Sequence, residues 1–197
     1  MSMIPYSKGL LLGSASFFLA CTFANISPLR ADTPAPGQVN LVKNPSFENP
    51  PESYAWKQNN WAKNDVEFAL DPDNPHSGKQ SQRITLRHGV NGKTDVQLVY
   101  QGLSLLPGTH LELRFWTRGG PTATGITVSL GTSFAPFAKY FSGDIKLSPT
   151  WTESVFQIVL PADANPQYNA LVFELKEEAT IWIDDVSLTE VPNSAGT

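Results

Sequence analysis

Leu106-Pro107-Gly108-Thr109-His110-Leu111-Glu112-Leu113-Arg114-Phe115-Trp116-Thr117-Arg118-Gly119-Gly120-Pro121 is the stretch that decides the fold. Pro-Gly opens it with turn chemistry and Gly-Gly-Pro closes it. Between them Leu111, Leu113, Phe115 and Thr117 alternate with Glu112, Arg114, Trp116 and Arg118. A period of two is the signature of a strand with one face on a core and one toward water.

The same reading extends in both directions. Asp65–Leu70 predicts a strand, ended by the turn residues Asp71-Pro72-Asp73-Asn74-Pro75. Gln82–Arg87 predicts another, with Ile84 and Leu86 on one face, and Asp95–Leu103 follows it. Ile126, Val128 and Leu130 alternate with Thr127 and Ser129. Beyond an aromatic-rich loop over 132–142, Glu153–Leu160, Ala170–Lys176 and Thr180–Thr189 complete the set. Nine or ten short strands at regular spacing, with no helical periodicity, predict an all-β antiparallel β-sandwich of jelly-roll type.

Composition agrees. Sixteen Pro and fourteen Gly in a chain of 197 residues suit many turns, and the length suits one domain. Charged residues are 16% and the net charge is −4, so no basic stripe exists for a phosphate backbone and nucleic-acid binding is not expected. Lys8 followed by the uncharged apolar run Gly9–Ala24 reads as a signal peptide. That run is shorter than the roughly 20 residues a spanning helix needs, so no membrane span is expected in the mature form. Small-residue cleavage points lie after Ala24 and after Ala31, and the second is preferred. Residues 1–31 are then the signal peptide, 32–39 a flexible N-terminus, 40–191 the sandwich and 192–197 a tail. The single cysteine, Cys21, lies in the targeting segment, and its flanking Phe18-Leu19-Ala20 fits a lipidation signal poorly. A secreted sandwich without disulfides must be held by its core, with a metal as the one further staple.

Two acidic motifs stand at opposite ends of the folded part, Asn44-Pro45-Ser46-Phe47-Glu48 and Ile183-Asp184-Asp185-Val186-Ser187-Leu188. Carboxylates beside strand-forming apolar residues are costly unless something cationic or hydrogen-bonding meets them. Their placement predicts that the first and last strands lie side by side and share a metal ion. On alternation, Asp184 shares a face with Trp182, Val186 and Leu188, while Asp185 points away.

The run from Asn40 to Glu48, then Trp61, then His76-Ser77-Gly78-Lys79-Gln80-Ser81 resembles the opening of the jelly-roll carbohydrate-binding modules, in the groups often called families 4, 9, 16 and 22. Residues 106–116, Thr150-Trp151-Thr152-Glu153 and Trp182–Leu188 continue the resemblance in the same order, over about residues 40–190. The resemblance implies a structural calcium held by Glu48, Lys79 (through its carbonyl) and Asp184, a hard oxygen set of the kind calcium takes. The competing reading has Asp184 bonded to backbone amides or paired with Lys79.

It also implies a concave sheet that cradles a polysaccharide. Trp116 offers a flat ring for a pyranose face, Arg114 and Arg118 offer guanidinium forks, and Glu174 offers an acceptor. Gln97, Trp61 at a cleft edge, His88 in the loop after 82–87, and Tyr140 complete the candidate ligand residues. The aromatic that xylan-binding members carry near His88 is absent here. Three points stay open: Trp116 as stacking surface or as packing under the loop 132–142, Arg118 and Glu174 as a cross-strand ion pair, and Phe134, Phe137, Tyr140 and Phe141 as a cleft end or an edge cover. Trp151 and Trp182 read as core.

A glycosidase needs two carboxylates about 5–10 Å apart across a cleft. Asp144, Glu153 and Glu174 include no pair marked by context, no Gly-x-Ser-x-Gly occurs, and His76, His88 and His110 lack metal-ligand spacing. The expectation is a secreted protein that binds a polysaccharide or oligosaccharide without cleaving it, beside a separate glycan-degrading enzyme or a surface assembly. The alternative is an extracellular structural or adhesion sandwich without sugar binding.

Overall fold

The computed structural model describes residues 38–50, 54–92 and 94–192. The expected signal peptide and Cys21 lie outside them. Ten strands follow in chain order: β1 (Trp56–Asn60), β2 (Asp65–Asp71), β3 (Ser81–His88), β4 (Val96–Leu103), β5 (His110–Gly119), β6 (Gly125–Thr132), β7 (Lys139–Lys146), β8 (Thr152–Val159), β9 (Asn169–Leu175) and β10 (Thr180–Glu190). They form two five-stranded antiparallel sheets. Sheet A runs β1-β4-β9-β6-β7 and sheet B runs β2-β3-β10-β5-β8. The β-sandwich expected from the alternation is the architecture observed.

β5 buries Leu111, Leu113, Phe115 and Thr117 and leaves the intervening residues half-exposed, as its period of two requires. From sheet A, Leu98, Tyr100, Val128, Leu130, Leu171 and Phe173 meet that face. Phe115 stands edge-on to Phe173 with ring centroids 5.0 Å apart, which joins the two sheets at their centre. Burying one such ring stabilises the fold by about 1.5–3 kcal/mol. The indole in the core is Trp56, tilted on Phe47 and edge-on to Tyr100, each at 5.1 Å. Trp151 and Trp182, expected in the core, are instead half-buried on the outside of sheet B.

Two strands escaped the alternation. β1 is short and β7 is an edge strand whose polar residues blur its pattern. The opening residues 40–46 form turns rather than a ladder strand, yet they lie against β10 as expected. Leu41 N donates to Leu188 O at 2.8 Å and Val186 N to Pro45 O at 2.9 Å, while Asn40 bonds the backbone of Val186 and Leu188.

Candidate functional site

The face of sheet A turned away from the core is the main candidate. Successive outward residues are Gln97, Val99 and Gln101 on β4, Ala170, Val172 and Glu174 on β9, and Thr127, Ser129 and Gly131 on β6. Register aligns them in rows: Asn59–Gln97–Glu174–Thr127 and Val99–Val172–Ser129. All of these row residues but Thr127 floor a cleft of about 380 Å³ whose lining also includes Trp61, Phe137 and Lys139. Gly131 admits the close approach of the chain at Ala138, because a Cβ there would collide with the Ala138 carbonyl oxygen.

Two exposed rings stand at the cleft's ends. Trp61 is 69% exposed and Phe137 64% exposed. Asn60 pairs with Val96, so Trp61 leaves β1 at the Gln97–Glu174 end. Gly131 pairs with both Ala170 and Lys139, which puts Phe137 at the opposite end on the far side of the sheet. The cleft therefore runs diagonally across the strands from ring to ring. Phe137 holds a left-handed backbone (φ 55°), an unfavourable state for a bulky residue that the 134–138 turn enforces through bonds from Phe137 N to Phe134 O and from Ala138 N to Thr132 Oγ1. Between the rings, Val99, Val172 and Ala170 make an apolar strip, and Asn59, Gln97, Gln101, Ser129, Glu174 and Lys139 supply amide, hydroxyl and charged groups along it. Glu174 is half-buried and has Lys176 Nζ at 3.5 Å. Apolar surface edged with hydrogen-bonding groups suits a ligand that is apolar on its faces and polar at its rim.

Of the residues expected at the ligand, Trp61, Gln97 and Glu174 come together here. Arg114, Trp116 and Arg118 do not, because β5 lies in sheet B and their outward direction is the opposite side of the molecule. Their partners are internal. Arg114 Nε donates to Glu112 Oε1 at 2.5 Å and its Nη1 to Glu153 Oε1 at 3.1 Å. Arg118 lies over the Trp182 ring at 4.1 Å and the Trp151 ring at 5.4 Å, with no ion pair to Glu174. Trp116 packs against His76, not under 132–142. His88 ends β3 in sheet B, beside Glu178 at 3.2 Å, so it too lies apart from the cleft. Tyr140 packs on the core side and its hydroxyl accepts from Asn165 N at 2.8 Å. The aromatic loop is thus divided: Phe134 and Phe137 face solvent, while Tyr140 and Phe141 cover the core. Asn59 and Lys139 were missed, for they sit on the two strands that alternation did not resolve.

The acidic motifs converge elsewhere, on the 76–79 turn. Glu48 Oε1 accepts from Lys79 N at 2.9 Å, and Asp184 Oδ2 accepts from His76 N at 3.0 Å and Ser77 N at 3.2 Å. At Gly78 (φ 64°) a Cβ would collide with the Glu48 carboxylate. A β-bulge between Asp184 and Ser187 breaks the alternation, so Asp185 (φ 49°) is buried as well rather than turned to solvent. It accepts from Ser77 Oγ at 2.7 Å and from Ser46 Oγ, and faces His76 Nδ1 at 2.6 Å. Burial, then the neighbouring Asp185 charge, pushes Asp184 up to about 8, against the pull of the Ser77, Asp185 and His76 amides. A buried carboxyl so short of positive charge fits a cation site. Among the described residues no three acidic, His or Cys side chains form a metal cage. A cation here would take the hard carboxylate oxygens of Glu48 and Asp184, the donor type calcium accepts.

No protein-family model matches the chain, and no curated protein matches it. Solved structures do. A structure described as "CBM4 structure and function" is 20% identical with a TM-score of 0.61, covering 76% of this chain and 99% of that one. The CBM22-1 xylan-binding domain from Paenibacillus barcinonensis Xyn10C is 12% identical, with a TM-score of 0.57 and coverage of 82% and 100%. A cyclase from Fischerella sp. is 12% identical, with a TM-score of 0.61 and coverage of 82% and 100%. At these identities the likeness is one of fold, and the fold is the β-sandwich found in several carbohydrate-binding modules.

Proposed function

We propose that this protein binds a glycan chain in the diagonal cleft of sheet A and releases it uncleaved. The observation that carries the reading is the pair Trp61 and Phe137, two solvent-exposed rings at opposite ends of a floor edged by Gln97, Gln101 and Glu174. A ring against a pyranose face removes apolar C–H surface from water, and amides and a carboxylate hydrogen-bond the equatorial hydroxyls. Likeness to carbohydrate-binding folds supports the same reading. Among the described residues lining the cleft, Glu174 is the lone carboxylate, which supports binding over a two-carboxylate hydrolysis. The N-terminal charged and apolar run supports secretion, and the fit at Glu48, Lys79 and Asp184 supports a structural calcium.

Affinity electrophoresis of the protein through gels holding β-glucan, xylan, mannan or galactan, with calcium present, tests the reading. Retardation by one class, lost in Trp61→Ala but kept in Trp116→Ala, is the expected result. Equal mobility in every gel overturns it.

A further inference from the structure

We propose that the cleft continues past Phe137 into a second stacking subsite formed by Phe134 and Tyr168, which holds further sugar rings of the same glycan chain. The inference rests on the reading of the sheet A cleft as a glycan site. Four observations carry it. Tyr168 immediately precedes β9, whose residues Ala170, Val172 and Glu174 line the cleft floor, and its ring is 64% exposed. Ser133 lines both the cleft and a neighbouring open pocket of about 360 Å³ whose other walls are Phe134 and Tyr168, so the two hollows adjoin at Ser133. The rings meet edge-to-face with centroids 6.1 Å apart and remain 40% and 64% exposed, an apolar corner that nothing among the described residues covers.

The corner is also held in place. Ser133 N and Ser133 Oγ both donate to Tyr168 O, at 2.8 and 2.7 Å, and Tyr168 keeps a left-handed backbone (φ 57°) that a bulky side chain adopts only when its surroundings enforce it. Phe137, at the near end of the cleft, shares that conformation. Two aromatic residues fixed outward by strained backbone on neighbouring loops make a preorganised surface, which lowers the entropy lost when a ligand docks. Sugar rings are the occupant whose chemistry continues from the cleft, since Ser133 lines the same cleft as Phe137 and also borders the aromatic corner.

Calorimetric titration of the full-length protein with gluco-, xylo-, manno- and galacto-oligosaccharides, from disaccharide to hexasaccharide, tests this. For the wild type, affinity is expected to keep rising with each added unit up to the longest ligand. Tyr168→Ala and Phe134→Ala should each weaken the hexasaccharide roughly three- to tenfold, the worth of one ring stack, and leave the shortest bound ligand unchanged. Wild-type binding that is indifferent to both substitutions at every length overturns the subsite and leaves the cleft reading standing. An equal loss at all lengths with a lowered melting temperature also overturns it, by making the corner structural. No heat with any ligand in the wild type overturns the cleft reading and the subsite with it.

Discussion

The His76 imidazole lies flat on the Trp116 indole, with centroids 3.8 Å apart and planes 14° from parallel. Trp151 closes on the same imidazole edge-on at 5.9 Å, and its Nε1 donates to Asn74 O at 2.9 Å. Trp116 is therefore a fastening for the turn that carries Asn74 to Lys79, with one ring face against His76. Trp116→Ala should destabilise the protein by about 2 kcal/mol, less than for a fully buried ring because Trp116 keeps one side toward solvent. Calorimetry should find the melting temperature about 4–8 °C lower. Glycan retardation should persist in the variant below its melt. An unchanged melt with retardation abolished would return Trp116 to the ligand.

Asp71 gives a pH dependence with a definite sign. Burial raises its pKa, but the Trp182 Nε1–H bond at 2.8 Å, the Asp73 amide and the Arg83 and Arg118 guanidinium groups outweigh that and hold it below the ordinary carboxylate value. The unfolded chain then binds the proton more readily than the folded one. The stabilisation is fully present above the unfolded pKa of about 3.9 and is lost as pH falls through the lower folded value. Asp71→Asn should be less stable than wild type at pH 6, with the gap closing in acid. Urea melts of both proteins at pH 6, 4 and 2.5 check this, and a gap that stays constant over that range would remove Asp71 from the acid limb.

A calcium at Glu48, Lys79 and Asp184 would bind the folded state and not the chain that unfolding separates. Ligand at 100 times its Kd then adds about 2.7 kcal/mol. Calcium should raise the melting temperature of chelator-treated protein, magnesium should do so less because it needs a tighter octahedral shell, and Asp184→Asn should be unresponsive. Equal melts in chelator and in millimolar calcium would mean that the three amides on Asp184 are its whole environment, the competing reading of that residue.

How much was legible in the sequence follows from what alternation encodes. It assigns each residue of β5 to the inner or outer face, and every assignment from Leu111 to Arg118 is met. It does not say which sheet a strand joins. Trp116 and Glu174 both point outward, but β5 and β9 belong to different sheets, so a single cleft drawn from the two had to fail. Alternation also assumes an unbroken ladder, and the bulge after Asp184 buries Asp185 against that assumption. The meeting of Glu48, the 76–79 turn and Asp184 was legible because those positions matched an ordered set of motifs, which carries long-range information that periodicity lacks. Phe137 was in view only as one of four aromatics, since no local pattern separates a ring on a strained turn from the two neighbours that fold back onto the core.

Glu174, the lone carboxylate among the described residues lining the cleft, separates binding from turnover. If Glu174 serves as a hydrogen-bond acceptor for hydroxyls of a neutral glycan, Glu174→Gln keeps the shape and one acceptor oxygen and exchanges the other for a donor. Affinity should then fall by a small factor, about two- to tenfold, because one charge-assisted hydrogen bond becomes neutral or is lost. The variant should still be retarded by the same glycan class as the wild type. Neither protein should release reducing ends from that glycan on long incubation. Were Glu174 instead an acid or base in a reaction, the wild type would generate new reducing ends and Glu174→Gln would stop them with little change in binding. A reducing-end assay run beside the binding titration distinguishes these two outcomes, because the first moves affinity alone and the second moves turnover alone.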